Sequence, residues 1–233
     1  MSNIVYLIPS VLDEAATQTI PAYIMNAVKD CQVFFVENER TARRFLKSMD
    51  KEIVIDNYEW FPIHKVEEEQ KTIFSNKIKE GKNIGIISEA GCPGIADPGQ
   101  LLVEVAQQMN ATVKPLVGPS SILLALMASG MNGQQFQFVG YLPIDQQQRV
   151  IALKELEITS KKKNCTQIFI ETPYRNNQLI ETILKTCQPS TQICIAAELT
   201  SANEYIKTKT ISDWKKEKTD FHKKPVIFLL LAH

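Results

Sequence analysis

The stretch ISEAGCPGIADPG, Ile87 to Gly99, decides the fold. The apolar run Ile84 to Ile87 before it reads as a buried strand. The turn itself sets three glycines and two prolines in nine positions, Gly91 to Gly99. Glycine has no Cβ to clash at positive φ and proline fixes φ, so such density forces an unusual backbone path and lets the main chain approach a bound molecule. A helix is predicted from about Gln100, where Leu101, Leu102, Val105 and Met109 share one face. Strand, glycine-rich turn and helix N-terminus together offer unpaired N–H groups to a ligand. The turn is neither GxGxxG nor GxxxxGK[ST], so it fits poorly a dinucleotide fingerprint or a triphosphate loop.

Outward from this centre, the N-terminal half alternates strand and helix patterns. Strands are expected at Ile4 to Ile8, Val33 to Val36, Glu52 to Ile55, Ile84 to Ile87 and Thr112 to Leu116. Helices are expected at Ala15 to Val28, Arg40 to Met49 and Glu67 to Glu80. This alternation predicts a mostly parallel sheet covered on both faces, with ligands at the carboxyl ends of its strands. After Gly118-Pro119 the pattern changes. A helix from Ser120, strands at Phe136 to Gly140, Gln167 to Ile170, Gln192 to Ala197, Glu204 to Thr210 and Val226 to Leu231, and intervening helices imply a mixed sheet. The expected fold class is α/β, in two α/β domains with a cofactor crevice between them. The first spans residues 1–117 and carries the glycine-rich loop and the acceptor side, and the second, 118–233, completes the cofactor site.

The 233 residues are 44% hydrophobic, enough for real cores, and 26 basic residues balance 26 acidic ones. Zero formal charge provides no global field toward nucleic acid or an anionic membrane, so an RNA partner must be held by local groups such as Arg40, Arg43, Arg44 and Arg175. Cys31, Cys92, Cys165, Cys187 and Cys194 are scattered without a CxxC pair, which fits a reducing compartment and argues against structural zinc. No stretch is long enough to span a bilayer and no basic leader precedes the short apolar N-terminus, so a cytoplasmic location is expected. His64 has no carboxylate or cysteine at metal spacing and reads as a loop residue; no metal site is expected. Lys161 to Lys163 and the lysines from Lys215 to Lys224 read as solvated faces.

Further turns close strands in the same manner. They are PLVGPSSILLALMASG from Pro115, FQFVGYLP from Phe136, ETPYRN from Glu171 and AAELT from Ala196. In order and approximate spacing, these motifs resemble the tetrapyrrole methylase superfamily of S-adenosylmethionine-dependent methyltransferases. Within it they look most like the branch that includes the small-subunit ribosomal RNA cytidine 2′-O-methyltransferase. The resemblance covers the chain from its first strand to Pro225.

What it implies is an enzyme that binds S-adenosyl-L-methionine through Ile8 and Pro9, through Gly91, Cys92, Pro93, Ile95 and Asp97, and through Ser120, Ser121 and Ile122. Ile170, Glu171 and Thr172, with Ala197 and Pro225, complete the set. Glu37 and Arg40, from a segment that is acidic in the family, are the candidate catalytic residues. The acceptor is expected to be structured RNA, methylated at a ribose 2′-hydroxyl; a tetrapyrrole precursor, or a non-catalytic role, is the alternative. Two departures stand out. The family's TPIGNL stretch is Pro9 to Glu14 here, and its AEDTR segment is Val36 to Arg40, with Asn38 in place of the Asp. Members are generally homodimers, and Trp60, Phe61 and Phe136 are the apolar residues expected to meet a partner copy.

Overall fold

A computed structural model describes residues 3–63 and 68–233. His64 therefore lies outside the described residues. The chain forms two compact units, Met1–Ser120 and Ser121–His233.

In the first unit, β1 (Ile4–Ile8), β2 (Val33–Val36), β3 (Glu59–Pro62), β4 (Ile84–Ile87) and β5 (Thr112–Pro115) form one sheet in the order β3-β2-β4-β1-β5. Every pairing is parallel. Its helices are α1 (Ile24–Asp30), α2 (Glu39–Met49), α3 (Glu68–Lys79) and α4 (Gly99–Gln108). Successive strand side chains point to opposite faces, and β2 shows the consequence. Phe34 and Val36 pack with Ile24, Val28, Phe45 and Leu46 of α1 and α2. Val33 and Phe35 pack with Phe74, Ile78, Leu102 and Ala106 of α3 and α4. Both faces are covered, which is why β2 and β4 are apolar at nearly every position. Gly85 makes room within β4, because a Cβ there would stand 2.5 Å from the ring of Phe34.

Two expectations need correction here. The helix expected over Ala15 to Val28 is broken: a 3₁₀ turn at Thr17–Thr19 precedes α1. Pro21 is the cause, since it disfavours the helical region for the residue before it, and Ile20 is extended at φ −99°, ψ 119°. The strand expected at Glu52 to Ile55 is absent, and β3 lies at Glu59–Pro62. There Trp60 stacks on Phe34 and Phe61 on Phe35 across the strand pair, with ring centroids 4.9 and 5.1 Å apart. These two aromatics are half-buried, with one side of each ring taken up by sheet packing. Pro62, which cannot donate to a ladder, is at home on this edge strand.

The second unit holds α5 (Ser121–Ser129), β6 (Phe136–Tyr141), α6 (Gln146–Lys163), β7 (Thr166–Ile170), α7 (Asn176–Thr186), β8 (Gln192–Ala197), β9 (Tyr205–Thr210), α8 (Ile211–Trp214) and β10 (Val226–Leu231). Its sheet runs β6-β7-β10-β8-β9. Only β6 and β7 are parallel to each other; β10 is antiparallel to both its neighbours, and β8 to β9. The central strand β10 is buried at all six positions, and Phe228 stacks on Phe169 at 5.7 Å. Asp145 caps the start of α6, and Asn164 ends it in the left-handed region at φ 48°. Lys161 to Lys163 occupy its last turn, where positive charge suits the helix dipole. Among the described residues, no helix is long and apolar enough to cross a membrane.

Candidate functional site

Parallel register brings four exits to one edge of the first sheet. Ile8 and Val36 both pair with Ile87, and Leu7 pairs with Pro115, so the segments after β1, β2, β4 and β5 emerge side by side. The glycine-rich loop is tied into this edge at several points. Ser10 and Gly91 exchange main-chain hydrogen bonds, 2.8 Å from Ser10 N to Gly91 O and 3.2 Å in return. Glu37 Oε2 accepts the Glu89 N–H at 2.8 Å, joining the β2 exit to the loop. The Cys92 thiol faces the carbonyl oxygens of Gly118 and Pro119, at 3.8 and 3.5 Å. Gly118 itself lies against Pro9, where a Cβ would come within 2.2 Å of the proline Cβ.

Inside the loop, Asp97 acts as an organising acceptor. Both its oxygens lie 3.0 Å from the Gly94 N–H, and Oδ1 also accepts from Gly99 N at 2.7 Å. Burial is the main cause that raises its pKa, and the charge of Glu37 adds to it, while the two N–H bonds pull the other way. Gly91 and Gly94 adopt φ of 76° and 83°, and Ala96 joins them at 61° despite its Cβ. Positive φ at a non-glycine residue concentrates at sites where the surroundings impose it. Gly94 faces open space and Ile95 is exposed, so the outer turn of the loop presents bare backbone and one apolar side chain. Burial raises the Cys92 pKa, which keeps the sulfur a thiol donor and unsuited to nucleophilic work.

Asn38, the departure from the family's acidic segment, has a clear local task. Its side chain accepts from Arg40 N and Thr41 N at 3.0 and 3.3 Å and caps α2. Asn and Asp cap about equally well, so the exchange leaves this helix start intact. Arg40 is exposed on the first turn of α2. Arg43 is engaged by Glu39 at 2.5 Å and lies over the Trp60 ring; Arg44 pairs with Glu14 at 3.0 Å. Beside these residues a cavity of about 250 Å³ opens between the β1 exit, α2 and the β4 exit. Leu12 and Phe45 supply apolar wall, and Glu14, Arg44, Ser48 and Glu89 supply polar groups.

The second sheet gathers its own set. Ile170 pairs with Ile227 and Ala197 with Val226, so the ends of β7 and β8 and the start of β10 share one edge. Glu198 N donates to Pro225 O at 3.0 Å. Ile170, Glu171, Thr172, Ala197 and Pro225 are thus brought together, and Ser121 and Ile122 open α5 in the same unit. Glu171 is buried. Its Oε1 accepts from Thr172 N at 2.7 Å and from Arg175 Nε and Nη2 at 3.0 and 2.6 Å. Its Oε2 is buried without a hydrogen-bond partner, as is Thr200 Oγ1. Glu198 and Thr200 stand at φ 51° and 70°, the latter strained for a β-branched residue. Asn176 fixes this edge from below, donating to Phe221 O and Lys224 O at 3.1 and 2.8 Å. Unsatisfied buried polar atoms beside strained backbone are what a polar ligand would relieve.

Several residues of interest escaped selection from the sequence. Glu89 sits within the stretch that decided the fold, yet its placement on the cavity wall depends on loop geometry. Glu198 and Thr200 belong to the AAELT motif, whose signal was positional and not conformational.

Residues 17–214 match the model of the family described as Tetrapyrrole (Corrin/Porphyrin) Methylases. The ribosomal RNA small subunit methyltransferase I of Buchnera aphidicola subsp. Schizaphis graminum is 36% identical over 168 residues, 71% of this chain and 58% of that protein. Its namesake from Bacillus subtilis is 30% identical over 215 residues, 91% of this chain and 68% of that protein. The match covers 58–65% of the length of the first four such relatives. Among solved structures, diphthine synthase superposes with a TM-score of 0.70 at 14% identity, covering 99% of this chain and 90% of its own. The methyltransferase CobJ does so with 0.66 at 16%, covering 99% and 94%.

Proposed function

We propose that this chain, which belongs to the tetrapyrrole (corrin/porphyrin) methylase family, is an S-adenosylmethionine-dependent methyltransferase acting on ribosomal RNA at a ribose 2′-hydroxyl. The observation that carries the choice of acceptor is the likeness to ribosomal RNA small subunit methyltransferase I proteins at 28–36% identity. The likeness to the methyltransferase CobJ, to a cobalt precorrin-4 methyltransferase and to a uroporphyrin-III-C-methyltransferase is at 13–16% identity and speaks for the fold alone.

The residues fit the cofactor. The open turn at Gly94 and Ile95 can lie along an apolar and aromatic ligand surface, and the unpartnered Glu171 Oε2 and Thr200 Oγ1 suit hydroxyl or ammonium donors. Residues proposed to hold it are Ile8, Pro9, Gly91, Cys92, Pro93 and Ile95 from the first sheet edge and Ser120 to Ile122 from the turn into α5. Ile170 to Thr172, Ala197 and Pro225 serve from the second edge. Asp97 acts through the loop it braces. When bound, the sulfonium supplies a methyl already activated for attack, so alignment of the acceptor and exclusion of water are the protein's tasks.

Glu37 holds the loop through Glu89 N with one oxygen, and its second oxygen is proposed to orient the acceptor hydroxyl and take its proton. Arg40, exposed at the start of α2, is proposed to meet an RNA phosphate. A cytoplasmic homodimer is the proposed working form.

The test incubates the protein and methyl-labelled cofactor separately with small ribosomal subunits from a strain lacking this gene and with uroporphyrinogen or precorrin. Label in RNA, mapped to a 2′-O-methyl, is expected. Label confined to the tetrapyrrole overturns the acceptor, and label in neither favours a non-catalytic role.

A further inference from the structure

We infer that Tyr174 and His222 form a stacking platform for one unpaired base of the RNA strand that flanks the acceptor nucleotide, with Lys223 meeting the adjoining phosphate. The inference rests on the RNA reading above, and it concerns a neighbour of the acceptor, not the acceptor itself. The two rings meet edge to face, with centroids 6.0 Å apart and planes at 70°. Tyr174 is 69% exposed and His222 is exposed as well, so the pair makes a corner open to solvent. Every base has a π-face, so such a corner takes a base of any identity.

An exposed tyrosine alone is ordinary on a protein surface. What sets this one apart is how firmly its surroundings are built. The segment Asp220 to Lys224 is fastened to the turn Pro173 to Asn177 along its length. Lys223 N donates to Pro173 O at 2.9 Å, and Asn176 Nδ2 donates to Phe221 O and Lys224 O at 3.1 and 2.8 Å. Asn177 Oδ1 accepts from Phe221 N at 2.9 Å, and its Nδ2 donates to Asp220 Oδ1 at 2.8 Å. The same carboxylate accepts from His222 N at 2.9 Å. Lys223 holds φ at 61°, a conformation that a non-glycine residue adopts where its surroundings impose it. Two surface segments are thereby locked together with both rings presented, which lowers the ordering cost of binding.

Charge at the corner favours a phosphate chain. Lys224 is paired with Glu198 at 2.8 Å, and Asp220 is engaged by Asn177 and the His222 N–H. Lys223 is exposed and makes no ion pair among the described residues, which leaves its ammonium for a phosphate. In the sequence it reads as part of a solvated face; the pinning of its backbone beside two rings is what gives it a ligand. Position ties the platform to the chemistry. Tyr174 follows Thr172 and Pro173 at the exit of β7, and Lys224 leads into Pro225 just before β10. Thr172 and Pro225 are residues proposed above to hold the cofactor. An RNA strand stacked at this corner therefore passes the edge at which methyl transfer is proposed.

The experiment measures binding and methylation of small ribosomal subunits and of a short RNA carrying the mapped acceptor, made abasic or base-exchanged in turn at each flanking nucleotide. The variants are Tyr174→Ala, Tyr174→Phe, Lys223→Gln and the pair Tyr174→Ala with His222→Ala. Tyr174→Ala is expected to weaken binding of the short RNA by about 5- to 150-fold, the scale of one lost base–aromatic stack. Tyr174→Phe, which keeps the ring, should bind like wild type, and the double variant should lose at least as much as Tyr174→Ala. One flanking position should show the same loss for wild type when made abasic and little when its base is exchanged, and Tyr174→Ala should be insensitive to it. Lys223→Gln should reduce the slope of log affinity against log salt by about 0.7. S-adenosylhomocysteine affinity and melting temperature are expected to stay at wild-type values throughout. Wild-type affinity of the double variant for an RNA that the enzyme methylates overturns the platform and leaves the RNA reading standing. Weaker binding to whole subunits with unchanged binding to the short RNA overturns it in favour of a protein contact on the subunit. No label in RNA with wild type overturns the RNA reading and the platform with it.

Discussion

Ser10 and Gly91 lie opposite each other as an isolated antiparallel bridge, each donating its N–H to the other's carbonyl, at the exit edge of an otherwise parallel sheet. The bridge fixes the first turn of the glycine-rich loop against the β1 exit. Gly91 holds φ at 76°, and a Cβ there would meet only ordinary contacts, 3.4 Å to Leu12 Cδ2 and 3.5 Å to Pro119 O. Backbone strain, not crowding, therefore sets the cost of Gly91→Val. A loss of about 1–3 kcal/mol is expected, with no heat in calorimetry on adding S-adenosylhomocysteine. Wild-type affinity in this variant would move the cofactor site away from the loop.

Gly118 presents the opposite case. The Pro9 ring occupies the place of its Cβ, 2.2 Å away, whereas Gly94 looks into open space. Gly118→Ala must push the β1 and β5 exits apart and should cost about 1–3 kcal/mol by overpacking. Urea unfolding of Gly118→Ala beside Gly94→Ala checks the ranking, with Gly94→Ala the milder despite its φ of 83°.

Arg175 was expected to serve as a local RNA contact, but its guanidinium is spent on Glu171, with bonds of 3.0 and 2.6 Å to a carboxylate whose side chain is 0% exposed. Arg175→Ala leaves that carboxylate buried and unpaired, a loss of about 3 kcal/mol. The double variant Glu171→Gln with Arg175→Ala should recover much of it in thermal unfolding. Additive losses in that cycle would show the pair to be uncoupled.

Asp97 gives the loop a pH dependence. Burial holds its pKa above the ordinary 3.8, so the folded state binds the proton more tightly than the unfolded chain does. Its contribution to stability is fully present below 3.8 and is lost as pH rises through the raised value. Asn at this position does not titrate. The unfolding free energy of wild type minus that of Asp97→Asn should fall with pH across this window and level off above it, as read from urea unfolding at a series of pH values. A difference that grows with pH would reverse the assignment.

For the proposed homodimer, the second unit offers exposed apolar surface. Phe136, Tyr141 and Ile144 are 42, 60 and 70% exposed in the second unit, and Ile151 and Ile158, 56 and 66% exposed, stand seven residues apart on α6. A dimer mass is expected in light scattering at micromolar concentration, falling to a monomer with Ile151→Glu and Ile158→Glu together. A monomer mass for the wild type would remove the proposal.

The order of elements and the class of the fold were legible in the sequence, because both depend on local pattern. Runs such as Val33 to Val36 and Val226 to Leu231 are apolar at every position, as strands buried on both faces must be. The glycine-rich loop was legible for the same reason, since Gly91 and Gly94 advertise the positive φ they adopt. Pro21 and the aromatic pairs of β3 mark two different shortfalls: the proline three residues before α1 was a local signal passed over, whereas a strand stabilised by rings on its neighbour reveals itself only in the folded sheet.

Which polar groups are spent and which are left over was decided by the folded backbone, locally for Asn38, Asp97 and Arg175 and across the sheet edge for Glu37. Glu37, Asn38, Asp97 and Arg175 read equally well as ligands or as scaffold until their partners are known. Those partners lie 52 residues away for Glu37 and Glu89, and within one turn for Asn38 and the N–H groups of α2. The same holds for the cavity beside Glu89, whose walls come from three segments distant in the chain. A residue's type sets what it can bond to, but distance and burial select the bond it makes, and only the packed chain fixes those.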